Sequence, residues 1–302
     1  MSADAPRLSA KAWGLILALS LPWGGSFVFY RLLAGELPSL TIVLGRVGIA
    51  ALALWLLVRL RGGRLRLPWR GFAVLGLLNN VIPFTLIAWA ETRITGGTAA
   101  ILNATTPICA ALVLRVLAGE RLTAGRLVGI LLGLAGVAVL VGPSVAELAA
   151  DLWAELACVA AAFSYGLTAW WSRRLPKVDP LHAAAGQCLC STLILLPLVA
   201  LIDRPWTLPP PSPATWGALA GIALVSTALA YVIFFRIVAL AGPANVMLVT
   251  LVVPVSALLL GWAFLSEAIS PAATLGMLLI AAGLAAIDGR ALRWAIRAPP
   301  SP

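Results

Sequence analysis

Apolar runs of about 20 residues recur along the whole chain, and short stretches with charge, proline or glycine separate them. A helix of that length crosses a hydrocarbon layer of about 30 Å. Because lipid offers the backbone no hydrogen bonds, such runs must be helices, whereas a barrel would show short alternating strands. The runs cover residues 12–34, 38–60, 70–91, 97–117, 123–142, 150–172, 180–202, 214–237, 244–265 and 270–288.

The composition places these runs in a membrane. Of the 302 residues, 62% are apolar and 11% are charged. No stretch between the runs is long enough and polar enough to form a separate soluble domain. The predicted fold class is therefore an all-α integral membrane protein with ten transmembrane helices, and the lipid bilayer is its first partner.

Positive charge is concentrated in alternate loops. The net charge of +10 would suit a nucleic-acid-binding protein if it formed one patch, but it is divided among several segments. With ten spans, all of these segments lie on one side, and cytoplasmic loops carry such an excess of lysine and arginine. We therefore predict no nucleic-acid partner, both termini in the cytoplasm and a cytoplasmic basic tail over residues 289–302. The basic segments are residues 7–11, 59–70, 115–126, 173–177 and 290–297.

The chain contains an internal repeat of five predicted helices, over residues 12–142 and 150–288. Because five is odd, the second copy enters the membrane from the opposite side. Such inverted repeats are typical of secondary transporters, whose substrate site lies near the midplane between the copies. The matched pairs are Trp69 and Trp216, Pro107 and Pro254, and Glu120 and Glu267 at a shift of 147, and Gly24 and Gly166, Arg31 and Arg173, and Pro38 and Pro180 at a shift of 142.

Two polar pairs lie at the same depth in the two copies. Each pair begins ten residues after the tryptophan that opens its helix, which is about 15 Å, or half the hydrocarbon layer. We predict that they line a substrate cavity at mid-membrane, although polar residues also join helices by hydrogen bonds. The polar residues are Asn79 and Asn80, matched with Ser226 and Thr227, and the aromatic residues are Trp23, matched with Tyr165, and Phe84, matched with Tyr231.

Proline follows a polar residue by four positions in three of the predicted helices. Proline at this spacing cannot donate to the carbonyl four residues back, so that oxygen is free for a neighbour or a water-filled space. The polar members are therefore further candidates for substrate binding. The pairs are Asn79 with Pro83, Asn103 with Pro107 and Thr250 with Pro254.

Arg46 is a candidate functional charge in the second predicted helix. It lies about 12 Å from the helix start. An ionisable residue at such a depth is a functional candidate by default, but it also could pair with a loop carbonyl or snorkel. The four cysteines lie inside apolar runs, where a free cysteine behaves as a small hydrophobe. We accordingly predict no disulfide, no metal site and no cofactor.

Gly125, Gly129 and Gly133 form a stripe of small residues on the fifth predicted helix. Small residues at this spacing let two helices approach closely. We favour packing within one monomer, and a homodimer through this stripe is the alternative.

The first half contains the stretches SLPWGGSFVFYR, LPSLTIVLGRVGIAALAL and GGTAAILNATTPICAALVLRVLAGERLTAGRLVGILLGLAGVAVLV. They resemble one EamA domain of the drug/metabolite transporter superfamily, and GPANVMLVTLVVPVSALLLGWAFLSEAISPAATLGMLLIAAGLAA resembles the end of a second. The resemblance implies a ten-helix exporter of small metabolites, often amino acids, in the bacterial inner membrane. Within the superfamily the chain most resembles the aromatic amino acid exporters. The second half departs from the first at Tyr165, which matches Trp23, and at Cys188, which matches Arg46.

These observations predict a carrier of small metabolites, most of all amino acids, and not an enzyme. The alternative is efflux of lipophilic cations such as quaternary amines, held by Trp23 and Tyr165, but that function would favour an acid at mid-membrane. An intramembrane enzyme would need catalytic groups at depth, and the single histidine, His182, lies at a helix start. Because none of the 11 acids falls in the middle of a run, we predict a passive facilitator whose two halves rock around the substrate.

Overall fold

A computed structural model describes residues 9–65, 68–120, 124–147, 149–176, 178–241 and 249–288. Within these ranges the chain is helical and forms no strand. The long helices are α1 (Ala10–Leu33), α2 (Ser39–Leu60), α3 (Trp69–Gly76, Leu77–Val81 and Ile82–Ala90), α4 (Gly96–Asn103 and Thr106–Ala118), α5 (Ala124–Glu147), α6 (Ala149–Ser172), α7 (Pro180–Leu201), α8 (Pro213–Ala223, Leu224–Leu229 and Ala230–Ala241), α9 (Val249–Leu265) and α10 (Pro271–Asp288).

Seven of these helices are long and apolar enough to cross a membrane, namely α1 to α4 and α6 to α8. The remaining three contain shorter apolar segments, Leu127–Val139, Val252–Leu265 and Pro271–Gly283. Large apolar side chains lie on the outside of the bundle, such as Phe264 at 73% exposure, as expected of a surface that faces lipid. The structure thus has the character of a multi-pass membrane protein. The count of ten spans and their orientation stay predictions, and the basic tail over residues 289–302 lies outside the described residues.

Local signals in the sequence set the helix ends. Ser9 and Ser212 each precede a helix and accept a hydrogen bond from an amide of its first turn. Asp179 does the same for α7, whose first residue is a proline. Gly119 ends α4 in the left-handed conformation, with φ of 67°, which costs glycine no steric strain.

The helices of the two halves pack in matched pairs. Helix α1, the first of the first half, packs against α9, the fourth of the second half. Helix α6, the first of the second half, packs against α4, the fourth of the first half. A Cβ atom on Gly24 of α1 would lie 2.9 Å from the backbone nitrogen of Ala257 in α9. A Cβ atom on Gly166 of α6 would lie 3.0 Å from the backbone nitrogen of Ala110 in α4. Gly24 matches Gly166 at the shift of 142, and Ala110 matches Ala257 at the shift of 147, so the repeat seen in the sequence also appears in the packing.

The glycine stripe of α5 lies against α10 of the same chain. A Cβ atom on Gly125 would be 3.1 Å from the carbonyl oxygen of Ala286, and one on Gly283 would be 2.6 Å from the carbonyl oxygen of Gly129. At Gly133 a Cβ atom would collide with the side chain of Ile108. These glycines therefore permit close packing inside the monomer, while the oligomeric state stays a prediction.

Candidate functional site

A buried arginine lies where four helices meet. Arg46 of α2 is 5% exposed. Its Nε donates a hydrogen bond to Thr227 Oγ1 of α8 at 2.9 Å, and its Nη1 donates to the Tyr30 hydroxyl of α1 at 2.7 Å. The guanidinium carbon lies 3.7 Å from the centre of the Phe84 ring of α3. Among the described residues both hydrogen-bond partners are side chains, so the arginine does not snorkel out of the bundle and binds no loop carbonyl there.

Arg46 forms no salt bridge with an acid in the part of the chain that the structure describes. Among the described residues, no carboxylate oxygen lies within 4.0 Å of its guanidinium. Its Nη2 also makes no hydrogen bond within this part of the chain. Removing an unpaired cation from water costs several kcal/mol. The aromatic faces of Phe84 and Tyr30 recover about 2 kcal/mol, so the arginine still has donors and charge to offer an anion.

A cluster of amide and hydroxyl groups joins α3, α7 and α8. Asn79 Nδ2 donates to Gln187 Oε1 at 3.0 Å and contacts the Tyr231 hydroxyl at 3.4 Å. Asn80 Nδ2 donates to Ser191 Oγ at 3.0 Å. The Tyr231 hydroxyl in turn donates to Asn80 Oδ1 at 3.3 Å. The paired asparagines therefore hold helices from both halves together.

Wide turns of π-helix position the two polar pairs. The segment Leu77–Val81 contains both asparagines, and Leu224–Leu229 contains the matched serine and threonine. In the first, the Ile82 N–H bonds to the Leu77 carbonyl, five residues back. Pro83 follows the first segment, but the second segment has the same wide turn with no proline at the matched position. Such turns are frequent at functional sites. Here the turn occurs at matched positions in both halves of the chain.

The other predicted residues near the site are aromatic or small. Trp23 packs against Phe234 of α8, with ring centres 5.8 Å apart. Tyr165 packs on the main hydrophobic core. Ser226 is fully buried, and its Oγ has no hydrogen-bond partner among the described residues.

Asn103 and Thr250, the remaining predicted residues, belong to α4 and α9. The Asn103 carbonyl, four residues before a proline, accepts a hydrogen bond from the Thr106 hydroxyl at 2.7 Å. The chain thus satisfies locally the oxygen that we expected to be free. Asn103 Oδ1 is buried without a partner among the described residues. Thr250 lines a narrow gap with Ile101 and Pro254 between α4, α9 and α10.

Three of the four residues of the polar pairs are closed off in this conformation, while Asn79 is partly buried. Asn80 and Ser226 are 0% exposed, and Thr227 is 1% exposed. Asn80 is covered by its contacts with Ser191 and Tyr231, and Thr227 by its contact with Arg46. The solvent-accessible cavity that the sequence predicts requires a different arrangement of these helices, and it stays a prediction.

The structure adds three residues that the sequence analysis did not single out. Tyr30 bonds to Arg46, while Gln187 and Ser191 bond to the asparagine pair. Gln187 and Ser191 lie one helical turn apart inside an apolar run. Polar residues inside an apolar run were also the signal that singled out the asparagines. Tyr30 gave no comparable signal, because a tyrosine near a helix end is common at the membrane interface.

The fold and the site define a multi-pass membrane protein in which a buried cation and a polar cluster lie between two sets of helices. Residues 11–142 and 152–287 each match the EamA-like transporter family. These ranges cover most of the chain, and the protein belongs to this family. It is therefore a membrane transporter.

Several known proteins are similar over nearly the whole chain. The "Uncharacterized transporter YoaV" of Bacillus subtilis is 23% identical, over 89% of this chain and 94% of that protein. The "Probable terminal-alkyne amino-acid exporter" of Streptantibioticus cattleyicolor is 26% identical, over 95% of this chain and 96% of that protein. The "Uncharacterized inner membrane transporter YedA" of Escherichia coli strain K12 is 25% identical, over 85% and 84%. A solved crystal structure shares the fold, with a TM-score of 0.68 at 22% identity, over 96% of this chain and 100% of the other.

Proposed function

We propose that this protein exports amino acids, aromatic ones or a broader set, across a bacterial inner membrane by alternating access. The observation that carries the proposal is that Arg46 is buried and forms no salt bridge with any described residue. A substrate carboxylate suits it, because guanidinium and carboxylate pair through charge-assisted hydrogen bonds. The neighbouring amide and hydroxyl groups of Asn79 and Tyr231 suit the polar atoms of an amino acid.

Aromatic side chains of α1, α3 and α8 support a substrate with an apolar or aromatic side chain. Phe84 lies directly over the guanidinium, and Trp23 of α1 packs on a phenylalanine of α8. Aromatic side chains in such a setting stack on planar groups at ring distances of about 4.5–7 Å. The relative from Streptantibioticus cattleyicolor, which is named as an amino-acid exporter, points to the same class.

Efflux of lipophilic cations is the alternative, and the site disfavours it. The alternative places the cation at Trp23 and Tyr165. Arg46 lies within electrostatic range of Tyr165, so a second cation there would meet a like charge in a medium of low dielectric, where repulsion is strong. The amino acid proposal has no such conflict, because a carboxylate would pair with the arginine.

Alternating access is supported by the paired packing of the two halves. Inverted repeats of five helices, with both termini in the cytoplasm, would give two conformations of similar energy that open on opposite sides. The polar pairs would then be exposed to each side in turn, around the level of Asn79 and Ser226. The closed contacts of Asn80, Ser226 and Thr227 fit a conformation between these openings.

Transport by purified protein in liposomes tests the substrate class. Counterflow of a labelled aromatic amino acid should be inhibited by unlabelled amino acids, but far less by the corresponding amino acid amides or by quaternary amines. Arg46→Gln should remove the preference for the acid over the amide. Because a hydrogen bond to a charged group contributes about 1.5–3 kcal/mol, the expected loss of affinity is about 10- to 150-fold.

The matched control is Arg93→Gln, which removes an exposed arginine that lies over the Trp89 ring. It should leave the preference unchanged. Inhibition by quaternary amines but not by amino acids would refute the proposal and favour cation efflux. An acid-over-amide preference that survives in Arg46→Gln would show that another residue binds the carboxylate.

A further inference from the structure

A second charged side chain is buried near one end of the bundle, away from the amide cluster. Glu91 directly follows α3 and is 0% exposed. Neither of its carboxyl oxygens has a hydrogen-bond partner among the described residues. No lysine, arginine or histidine nitrogen in this part of the chain lies within 4.0 Å of them. In the sequence Glu91 lies at the end of the third apolar run, two residues before Arg93, and this position alone does not indicate its complete burial.

The ends of three other helices enclose Glu91. Arg31 of α1 donates a hydrogen bond to the main-chain oxygen of Glu91 at 2.7 Å. Gly96 opens α4, and a Cβ atom there would lie 3.3 Å from Glu91 Oε2 and 3.0 Å from Phe27 Cβ of α1. The Gly96 N–H donates to Oε1 of Glu267, which follows α9, at 3.3 Å. Glycine at this position therefore lets α1, α4 and the end of α9 close over the carboxyl group.

The surrounding charges do not compensate the burial. Arg31 on α1 and Arg46 on α2 favour a negative charge on Glu91, while Glu267 after α9 opposes it. Tyr30 of α1 and Cys158 of α6 also lie within electrostatic range. Glu155 of α6 is another buried acid, and its charge also acts on Cys158.

An ionised carboxylate that is buried without donors is so costly that such a group takes up a proton instead. We propose that Glu91 is a proton-binding site of the transport cycle, neutral when α1, α3, α4 and α9 close over it and ionised when they separate. Closing then takes up one proton from the solution at this end, and opening releases it. No bond other than the carboxyl O–H forms or breaks.

A proton that binds only the closed conformation is thermodynamically coupled to any ligand that favours or disfavours that conformation. Substrate binding that shifts the balance between closed and open forms must shift proton binding by the same free energy. The transporter would then be proton-linked rather than the passive facilitator that the sequence predicts. This consequence rests on the proposed transport function, but the closing step itself can be measured without any substrate.

Thiol accessibility at the end of α3 tests the closing step. The four native cysteines, which are all buried, are first replaced. Ile94→Cys then reports on closure, because Ile94 is 8% exposed beside the closed end. Thr92→Cys, at an exposed position two residues away, corrects for the reagent and for thiol ionisation. The readout is the ratio of the two modification rates between pH 5 and pH 8.

We expect the ratio to rise with pH, by up to about tenfold per pH unit for a single linked proton. Glu91→Gln, which imitates the neutral acid, should hold the ratio low and independent of pH. Glu267→Gln, which removes the partly exposed acid at the same end, should preserve the dependence on pH. Both outcomes are independent of the identity of the substrate.

A ratio that does not change with pH in the parent protein would overturn the proposal, even if Glu91→Gln fails to fold. A Glu91→Gln protein that folds and keeps the slope of its parent would overturn it as well. Loss of the slope in Glu267→Gln instead of Glu91→Gln would assign the proton to Glu267. If the amino acid assay above fails while the slope depends on Glu91, the transport proposal is wrong and the proton site stands.

Discussion

The crossing of α1 and α9 gives a sharp test, because adjacent glycines on α1 differ in the space around them. A Cβ atom on Gly24 would lie 2.3 Å from Ser256 Oγ and 2.9 Å from the backbone nitrogen of Ala257. On Gly25 it would lie 3.8 Å from a methyl carbon of Leu260, an ordinary contact. The change to alanine is the same at the two positions, but the consequences should be opposite.

Gly24→Ala should destabilise the protein. The clash involves backbone as well as a hydroxyl, so α1 and α9 must move apart, and overpacking of this kind costs about 1–3 kcal/mol. Alanine also gains about 0.8–1.0 kcal/mol over glycine inside a helix. At Gly25 there is no clash, so only the helix-propensity gain applies. The free energies of unfolding of the two variants should therefore differ by the cost of overpacking, about 1–3 kcal/mol.

Thermal unfolding in detergent, followed by tryptophan fluorescence, measures the difference. The Tm of Gly24→Ala should fall below that of the parent, and the Tm of Gly25→Ala should equal or exceed it. Gly14→Ala is a second control on the same helix, because nothing lies within 4 Å of a Cβ atom there. Equal shifts for Gly24→Ala and Gly25→Ala would refute the close crossing of α1 and α9.

Three further predictions concern other contacts. Asn80→Ala should cost about 1–3 kcal/mol, because it leaves buried polar groups unpaired. Ser191→Ala also removes hydroxyl contacts with the Gly76 and Gln187 carbonyls, so the double variant should lose less than the sum of the two single losses; additive losses in unfolding experiments would contradict the bond. The Ser212 N–H and hydroxyl hold the pKa of Glu36 below its usual value of 4.5. The ionised Glu36 therefore stabilises the folded protein above pH 4.5, and this stabilisation is lost as the pH falls through the lowered pKa. Hydrogen exchange at the Ser212 amide, corrected for its intrinsic rate, should therefore accelerate in acid, and Glu36→Gln should remove this dependence. Asp203→Ala removes a carboxylate that accepts two hydrogen bonds in the first turn of α2, so unfolding should become easier by about 0.5–2 kcal/mol, and an unchanged stability would exclude this cap.

The sequence anticipated the helices well because their limits depend on local chemistry. Apolar runs end where proline or charge begins, and α2 and α7 start within one residue of the predicted positions. The repeat was also visible, because tryptophan, proline and glutamate matched at one shift. A count of residues along their helices predicts the depth of Asn79 and Ser226, and this depth stays a prediction.

The partners of these residues could not be predicted in the same way. The bond between Asn80 and Ser191 joins residues 111 positions apart, and no local pattern fixes such a register. The burial of Glu91 is a sharper case, because it depends on a glycine in the next helix and on side chains from α1 and α9. A count along one helix places this acid near an end, but the neighbouring helices determine whether water reaches it.

The paired crossings have a consequence for how the chain is assembled. Gly24 joins α1 to α9, and Gly166 joins α6 to α4, so each close crossing takes one helix from each half of the sequence. Neither half can complete its own packing, although each is a copy of the same pattern. Two polypeptides cut between α5 and α6 should be degraded when made separately and should reassemble when made together. We therefore expect the two repeats to fold together as one intertwined pair.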